Sequence, residues 1–207
     1  MSDAETGAAP VSDAVARSPG RPRSEAAHEA IVSAALALTR AVGYDAVTME
    51  GIAATAGVGK ATVYRRWNSK DEVIAEALQR LLRHVPVPDT GTLRGDLLAE
   101  QRVLVGMYGN PATRTLLSGL VAAMARSHLI SEAVRGGFAG DRIHAIRTVL
   151  QRGIARGEVR ADVDVETAID VVAGPLMFRY LMRGEPVDEA LGERVVDLAL
   201  SGLVPRT

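Results

Sequence analysis

The side chains with the clearest chemical meaning in this sequence lie between Thr48 and Lys70. Hydroxyl-bearing and cationic residues recur there, and no acidic residue occurs between Gly57 and Lys70. Lysine and arginine bind phosphate groups and hydrogen-bond to guanine, and the methyl group of threonine can contact thymine. The pattern therefore favours non-covalent recognition of a nucleic acid over catalysis.

The sequence lacks the usual signatures of catalysis and metal binding. It has no cysteine, and its 4 histidines are scattered along the chain. It contains no HExxH helix, no phosphate-binding glycine loop and no Gly-x-Ser-x-Gly elbow. We therefore expect a protein that is not an enzyme and that uses no metal and no cofactor.

The net charge of −1 conceals an uneven distribution of charged residues. Residues 17–70 carry eight basic and four acidic side chains, whereas residues 71–207 carry sixteen basic and eighteen acidic ones. A basic N-terminal third on a mildly acidic chain is typical of a local surface that binds polyanions.

Two short helices are predicted to position the basic side chains. Thr48 is a good N-cap for the first helix, Gly57 can supply the left-handed turn that follows it, and the second helix begins near Lys60. A turn this tight sets the second helix across the first, which is the pattern of a helix-turn-helix. The small apolar core that fixes the angle is predicted to contain Ile52, Ala53, Val58 and Val63.

Several features of residues 24–82 occur together in one known family. They are Thr48, Ile52-Ala53, Ala56-Gly57-Val58, Thr62-Val63-Tyr64, Trp67, and Ser69-Lys70 before an apolar helix. In these features the stretch resembles, without a gap, the DNA-binding domain of the TetR (tetracycline-repressor) family of bacterial regulators. Asn68 stands where the family usually has a proline, a difference that is expected only to loosen the turn.

The resemblance implies a role for each exposed side chain of the helix pair. Thr48 and Tyr64 are expected to bind phosphate, and Lys60 and Thr62 are expected to contact base edges. The complete set of predicted DNA contacts is Thr48, Lys60, Ala61, Thr62, Tyr64, Arg65, Arg66 and Lys70.

The remaining members of this set are assigned less specific roles. Arg65 and Arg66 are expected to divide between phosphate and base, and Lys70 is expected to hold a phosphate at the start of the fourth helix. Trp67 is expected to pack as a wedge between the first and fourth helices. An extended basic arm ahead of the first helix is a possible further contact, through Arg17, Arg21 and Arg23.

The hydrophobic periodicity is helical from residue 24 onward, and strand signals are nearly absent. The predicted fold is all-α with about nine helices: a three-helix helix-turn-helix domain, then a helical domain to which the resemblance assigns ligand binding and dimerisation. We expect a disordered tail and arm over 1–23, the first domain over 24–84 and the second over 85–207. Helices in the second are predicted at about 92–108, 112–127, 131–156, 165–184 and 188–203, with a kink at Pro175.

The resemblance also implies an effector pocket and a dimer interface in the second domain. Apolar helices with sparse polar groups can line a cavity, although the same residues can simply fill a core. Candidate pocket residues are Met107, Tyr108, Leu120, Met124, His128, Phe138, Met177 and Tyr180. In the family the last two helices pair with those of a second subunit, and here the candidates are Val172, Pro175, Leu176, Leu191, Val195, Leu198, Ala199, Gly202 and Leu203.

These features together predict a cytoplasmic homodimer that binds a palindromic operator in double-stranded DNA, represses transcription and is released by a small apolar effector. We expect no membrane partner. The fourth helix, as the covalent link between the domains, is expected to transmit the signal. Two alternatives share the same features: a TetR-like activator or global regulator, and an architectural protein that binds DNA without sequence preference. A third, a ligand-binding enzyme that kept a vestigial DNA-binding domain, would need turnover, for which the sequence suggests no residue.

Overall fold

A computed structural model describes residues 21–81 and 86–204, except for the side chains at positions 21–23, 81, 111, 112, 114 and 138. Every regular element in these residues is helical, which confirms the all-α class. The α-helices are α1 (Arg21–Val42), α2 (Met49–Thr55), α3 (Lys60–Tyr64), α4 (Lys70–Leu81), α5 (Leu93–Tyr108), α6 (Pro111–Met124), α7 (His128–Gly136), α8 (Phe138–Ala155), α9 (Val165–Phe178) and α10 (Glu189–Leu203). None of these helices is long and apolar enough to cross a lipid bilayer.

Two of the predicted helices are divided in the structure. The helix expected over 131–156 is broken at Gly137, whose ψ of −122° lies outside the helical region, so α7 and α8 are separate. The helix expected over 165–184 is α-helical only as far as Phe178, and residues 179–183 form a π-helical segment. Pro175 lies inside α9, where it cannot donate the usual helical hydrogen bond.

The helix-turn-helix forms as its sequence predicts. The Thr48 hydroxyl accepts a hydrogen bond from the Gly51 amide at 3.0 Å and so caps α2. Gly57 has a φ of +67°, a conformation that glycine adopts without strain, and the chain then turns into α3. The side chains of Ile52 and Val63 are fully buried between the two helices and α1. This packing fixes the angle at which α3 is presented.

One hydrophobic core joins the first four helices to α6 and α7. Ile31 of α1 and Ile74 of α4 belong to the same buried cluster as Leu116, Leu120 and Ile130. We call this cluster the shared core. The predicted boundary between residues 84 and 85 lies outside the described residues, but the packing of the described ones does not separate into two halves at that point of the sequence.

A second core lies between α5, α8, α9 and α10. Leu97, Leu150, Val172 and Val196 are fully buried there. A smaller cluster continues it toward the π-helical segment, formed by Leu104, Leu176, Tyr180, Val187, Leu191 and Val195. The consequence is that α9 and α10 each turn one apolar face toward their own chain.

Candidate functional site

The outer surface of α2 and α3 carries most of the side chains predicted to contact DNA. Lys60 is the first residue of α3, and its side chain is 65% exposed. Tyr64, one helical turn later, is 46% exposed. Around these two the structure brings together Thr48, Ala61 and Arg65, all exposed, and Thr62, which is half-buried. The result is a surface of hydroxyl and cationic groups on the helix pair.

An acidic residue that the sequence analysis missed lies on this surface. Glu50 of α2 places Oε1 3.5 Å from Nζ of Lys60, and the Tyr64 hydroxyl donates to the same oxygen at 3.4 Å. A hydrogen bond from its own backbone amide, together with Lys60 and Tyr64, lowers the pKa of the Glu50 carboxyl. Glu50 is therefore ionised at neutral pH and offsets part of the positive charge. The tight turn brings the start of α2 beside the start of α3, so the proximity of Glu50 to Lys60 could have been predicted from it.

Arg66 is exposed, as predicted, and it also has partners within the chain. Its guanidinium donates to the carbonyl oxygen of Ser24 and to Nδ1 of His28, both at 3.1 Å, and also to the Ser24 hydroxyl. These partners belong to α1, so Arg66 fastens the end of α3 to the body of the domain. These hydrogen bonds lie within the chain, and a direct contact of Arg66 with DNA stays a prediction.

Lys70 also has partners within the chain. Its Nζ donates to the carbonyl oxygens of Tyr44 and Asp45 at 2.9 and 3.1 Å, and lies 4.5 Å from the centre of the Tyr44 ring. The ammonium therefore ties the start of α4 to the loop between α1 and α2. The structure gives Lys70 a positioning role, and its phosphate contact stays a prediction.

Trp67 packs as the sequence predicted. It is buried, its indole N–H donates to Glu76 of α4 at 3.0 Å, and its ring stacks on His28 of α1 with the ring centres 5.0 Å apart. Nε2 of His28 lies 2.7 Å from the same glutamate. The prediction that Trp67 packs as a wedge between α1 and α4 is confirmed, and these contacts hold the segment that follows the end of α3 in place.

The chain between α6 and α7 reaches the helix-turn-helix through polar contacts. Asp71, near the start of α4, accepts hydrogen bonds from the hydroxyls of Tyr44, at 2.6 Å, and of Ser127, the N-cap of α7. Burial first, and then the hydrogen bond with Asp71, raise the pKa of Tyr44 to about 12. Beside them, Arg126 forms an exposed ion pair with Asp45 at 2.7 Å. We call these five residues the junction.

The arm predicted to extend ahead of the first helix is only partly described. Arg17 lies outside the described residues. Arg21 and Arg23 fall in the first turn of α1, so the prediction of an extended backbone at these two positions is wrong. Pro22 is compatible with the helix because the first turn needs no backbone donor there. Contact of this segment with DNA stays a prediction.

A cavity of about 370 Å³ lies between α5, α8 and α9. Of the eight residues predicted to line a pocket, Tyr108 and Met177 are among its walls. Burial, and then the neighbouring Tyr180, raise the pKa of Tyr108 to about 12. Lining residues that the prediction did not include are Leu104, Ala139, Arg142, Ile143, Ile169, Asp170, Ala173 and Gly174.

The other predicted pocket residues lie elsewhere. Leu120 is buried in the shared core and Met124 packs against it, so both stabilise the contact with the N-terminal helices. Met107 and Tyr180 belong to the small cluster beside the π-helical segment. The His128 side chain is 87% exposed, because residue 128 begins α7 on the molecular surface. The side chain of Phe138 lies outside the described part of the structure.

The predicted dimer residues divide between the two faces of α9 and α10. Val172, Leu176, Leu191 and Val195 are buried within their own chain, and their contact with a second subunit stays a prediction. Ala199 and Leu203 are buried too, but they line a groove between the two helices. Exposed apolar or small residues on the outer face are Val171, Pro175, Phe178, Met182, Leu198 and Gly202. We call this set the outer face.

Comparison with known proteins bears on both halves of the chain. Residues 31–77 match the family model for bacterial regulatory proteins of the tetR family, and residues 87–199 match that for the C-terminal domain of tetracyclin repressor-like proteins. An uncharacterized HTH-type transcriptional regulator of Bacillus subtilis is 35% identical, over 89% of this chain and 93% of its own length. A DNA-binding transcriptional repressor of Mycobacteroides abscessus is also 35% identical, over 88% of this chain and 96% of its own.

Solved structures resemble the whole fold. The crystal structure of a TetR family transcription regulator superposes with a TM-score of 0.64 at 28% identity, covering 86% of this chain and 99% of that one. A TetR transcription regulator from Haloarcula marismortui superposes with a TM-score of 0.70 at 19% identity, covering 87% and 100%. The second likeness concerns the fold alone. The matched families and relatives are transcriptional regulators and not enzymes.

Proposed function

This chain belongs to the TetR family of bacterial transcriptional regulators, and from that premise we propose that it is a repressor that binds a palindromic operator as a homodimer. The observation that carries the proposal is the surface of α2 and α3, on which the side chains of Lys60, Tyr64 and Arg65 are exposed to solvent. Residues 24–84 would form the DNA-binding domain, and residues 85–207 would bind the effector and the second subunit. Because its target is the chromosome, we place the protein in the cytoplasm.

The proposed reading of DNA uses α3 in the major groove. Lys60 and Thr62 would contact base edges, and Thr48, Tyr64 and Arg65 would bind the flanking phosphates. Arg66 and Lys70 remain proposed contacts, and within the chain they also hold α3 and α4 in place. These internal bonds would keep the contacting side chains in register.

Dimerisation would use the outer face. Monomeric proteins seldom expose a large continuous apolar surface, and such a surface usually marks an interface with another molecule. Leu198 and Met182 are each 74% exposed, and the groove between α9 and α10 beside Leu198 can accept a side chain from a partner. A two-fold arrangement would set two α3 helices about one turn of DNA apart, roughly 34–36 Å, as a palindrome requires.

A small apolar effector would occupy the cavity between α5, α8 and α9. Binding there releases DNA only if the ligand prefers a conformation that binds DNA less well. Two routes connect the cavity with α3: the covalent link through α4, and the junction. The second route begins at α8, which lines the cavity and follows α7 after Gly137, and α7 reaches Asp71 through Ser127. We therefore propose that the junction transmits the signal together with α4, which was expected to do so alone.

The proposal is tested by DNA binding in competition at a fixed salt concentration. The probe is a palindrome from the region upstream of the gene itself, and the competitor is random duplex. We expect a preference of about a thousandfold or more for the palindrome, and Lys60→Ala should relax discrimination at one base position. The control is Arg102→Ala, which removes an exposed cation on α5. Equal affinity for both duplexes would support the architectural alternative and contradict the repressor.

Repression and activation are distinguished in the cell. Deletion of the gene should raise transcript levels from the bound promoter if the protein is a repressor. A fall in transcript after deletion would identify the activator alternative, and changes at many unlinked promoters would identify a global regulator.

A further inference from the structure

The start of α1 holds the exposed arginine that follows α3. Nη2 of Arg66 donates to the carbonyl oxygen of Ser24 at 3.1 Å and also to the Ser24 hydroxyl. Nη1 of Arg66 lies 3.1 Å from Nδ1 of His28. A guanidinium donates hydrogen bonds and accepts none, so Nδ1 is the acceptor in this contact. The contact therefore requires an Nδ1 that carries no proton.

The other ring nitrogen of His28 faces α4. Nε2 lies 2.7 Å from Oε1 of Glu76, which accepts, and 2.5 Å from Nη2 of Arg80, which donates. With its proton on Nε2 the ring satisfies both Arg66 and Glu76, and Arg80 still donates to the same Glu76 oxygen at 2.8 Å. With its proton on Nδ1 the ring satisfies Arg80 alone. The partners therefore assign the neutral Nε2–H tautomer to His28.

Packing keeps the imidazole in this position. The ring stacks on Trp67, with the ring centres 5.0 Å apart, and the side chain of His28 is 19% exposed. The indole N–H of Trp67 donates to Oε2 of Glu76 at 3.0 Å, so the two rings share one carboxylate. These contacts leave the imidazole little freedom to turn away from Arg66. A change in its protonation therefore acts directly on the guanidinium.

His28 is the one titratable group in this cluster that ordinarily changes charge near neutral pH, because an imidazole takes up a second proton between about pH 5 and pH 8. Proton uptake turns Nδ1 from an acceptor into a donor and places a positive charge beside the guanidinium of Arg66. The hydrogen bond is then replaced by repulsion between like charges. The charged side chains that contact the ring or its partners are Arg66 after α3, Glu76 and Arg80 on α4, and Glu29 on α1, which pairs with Arg80.

We propose that His28 is a positioning residue whose protonation state controls Arg66. The neutral imidazole holds the guanidinium on α1, and the imidazolium releases it to bind a phosphate of the duplex. Release adds a cationic contact at the end of α3, so DNA affinity rises as the pH falls. The contact between His28 and Arg66 is a property of the chain alone, whereas its effect on DNA affinity rests on the proposed function.

Fluorescence anisotropy of the full chain with a labelled random duplex tests the pH dependence. Non-specific binding is measured because it depends on phosphate contacts and requires no knowledge of the operator. Between about pH 8 and pH 5 we expect the affinity of the wild-type chain to rise roughly twofold to fivefold. The slope of log affinity against log salt should steepen by about one unit over the same interval.

Variants of the histidines assign this rise to one imidazole. His28→Asn keeps an acceptor oxygen but takes up no proton, so the rise and the steeper salt slope should disappear. The matched control is His128→Asn, the same change at an imidazole that is 87% exposed on α7, and it should behave as the wild type does. A folded His28→Asn variant with the full rise would overturn the proposal.

Arg66→Met separates release of the guanidinium from the charge of the imidazolium itself. Arg66 is exposed, so its replacement leaves the buried core intact. Without it the steepening of the salt slope should be lost, although His28 still takes up its proton. Arg102→Met removes an exposed arginine of α5 and should keep the steepening. If Arg66→Met keeps it too, the imidazolium acts on DNA without Arg66 and the positioning role is refuted.

The contact itself is measured without DNA. Nuclear magnetic resonance of the imidazole nitrogens, with His28 identified by its absence in His28→Asn, should find Nε2–H and a bare Nδ1 at alkaline pH. An Nδ1–H tautomer there would overturn the proposal. If the tautomer is as assigned and no duplex binds at any pH, the proposed function fails and the contact stands. If the duplex binds without a pH response that depends on His28, DNA binding stands and the control of Arg66 by His28 fails.

Discussion

At the scale of single residues, the surface proposed to bind DNA contains its own opposing charge. Glu50 lies beside Lys60 and Tyr64, at 3.5 and 3.4 Å, and a phosphate group approaching either side chain must compete with this carboxylate. If Lys60 and Tyr64 bind DNA as proposed, this competition would lower the affinity for any duplex.

Replacement of Glu50 by glutamine should strengthen DNA binding. Glu50→Gln removes the charge that competes with phosphate, so we expect the affinity for random duplex at low salt to rise roughly twofold to fivefold. Glu193→Gln on α10 is the control, since it changes net charge equally at an exposed position of another helix. Fluorescence anisotropy over a series of salt concentrations measures the effect. An unchanged or lower affinity would contradict the role given to Glu50.

Removal of the Lys70 side chain should lower stability, whereas removal of the Lys60 side chain should lower DNA affinity. Lys70→Ala removes two charge-assisted hydrogen bonds to backbone carbonyls, so the free energy of unfolding should fall by about 1–2 kcal/mol. Lys60→Ala should leave stability unchanged and weaken DNA binding. Urea denaturation and anisotropy measured on both variants separate the two effects. If Lys70→Ala keeps full stability and lowers the salt dependence by about one unit, the lysine binds phosphate after all.

Two tyrosines should make stability sensitive to alkaline pH. The pKa values of Tyr44 and Tyr108 are raised from 10.0 to about 12, so the folded chain holds these protons more tightly than the unfolded chain. The stability linked to them is fully present below pH 10 and is lost as the pH rises toward 12. Tyr44→Phe and Tyr108→Phe should each reduce the loss over this interval, as measured by urea denaturation at several pH values. A loss of the same size in both variants would contradict the assignment.

At the scale of helices, the junction connects the end of α6 and the start of α7 with the helix-turn-helix. Its two polar contacts differ in burial. The Tyr44–Asp71–Ser127 contact is partly buried, whereas both partners of the Arg126–Asp45 pair are largely exposed. Since exposed pairs contribute little and partly buried hydrogen bonds contribute more, the aspartate at position 71 should account for most of the polar coupling.

Substitution of Asp71 should therefore outweigh loss of the ion pair. Asp71→Ala leaves two hydroxyls without their acceptor and should lower the free energy of unfolding by about 1–3 kcal/mol. Arg126→Ala should cost less than about 1 kcal/mol. A double-mutant cycle of Asp71→Ala with Tyr44→Phe should be non-additive, because the two side chains share one hydrogen bond. Strict additivity in that cycle would show that the contact does not form in solution.

The helix-turn-helix was predictable because its determinants are local. A cap, a glycine turn and apolar spacing placed Thr48, Lys60, Tyr64 and Trp67 correctly. The partners of Arg66 and Lys70 were not predictable, since Ser24, His28, Tyr44 and Asp45 are brought to them only by packing against α1. Periodicity identifies the face of a helix but does not identify which distant residue a long side chain will meet.

At the scale of the whole molecule, the outer face is the proposed dimer interface. Leu198→Arg should yield a folded monomer, because Leu198 is 74% exposed and supports no internal packing. Leu129→Arg on α7 is the matched control, since this leucine is also exposed but lies away from α9 and α10. Sedimentation analysis should find the control dimeric and the Leu198 variant monomeric, with much weaker operator binding. A dimeric Leu198→Arg would exclude this face as the interface.

The assignment of whole faces was the least predictable feature. Helix α9 is apolar on both sides, so its sequence did not indicate which side would fill the core: Val172 is buried and the adjacent Val171 is exposed. The same ambiguity explains why some predicted pocket residues lie in a core. Leu120 and Met124 are apolar side chains that can pack in the shared core as well as they could line a cavity. Only the packing of distant helices decides between these uses.

The shared core also constrains how this protein can be rebuilt as a biosensor. A chimera joined near Pro86 and Pro88, between α4 and α5, would remove Leu116, Leu120 and Ile130 from their contact with the apolar side of α1 and α4. The grafted fragment would then aggregate or melt. An exchange of the proposed effector-binding part would transplant α5 and α8–α10 and keep α6 and α7 with α1–α4, so the transplanted unit is discontinuous along the chain.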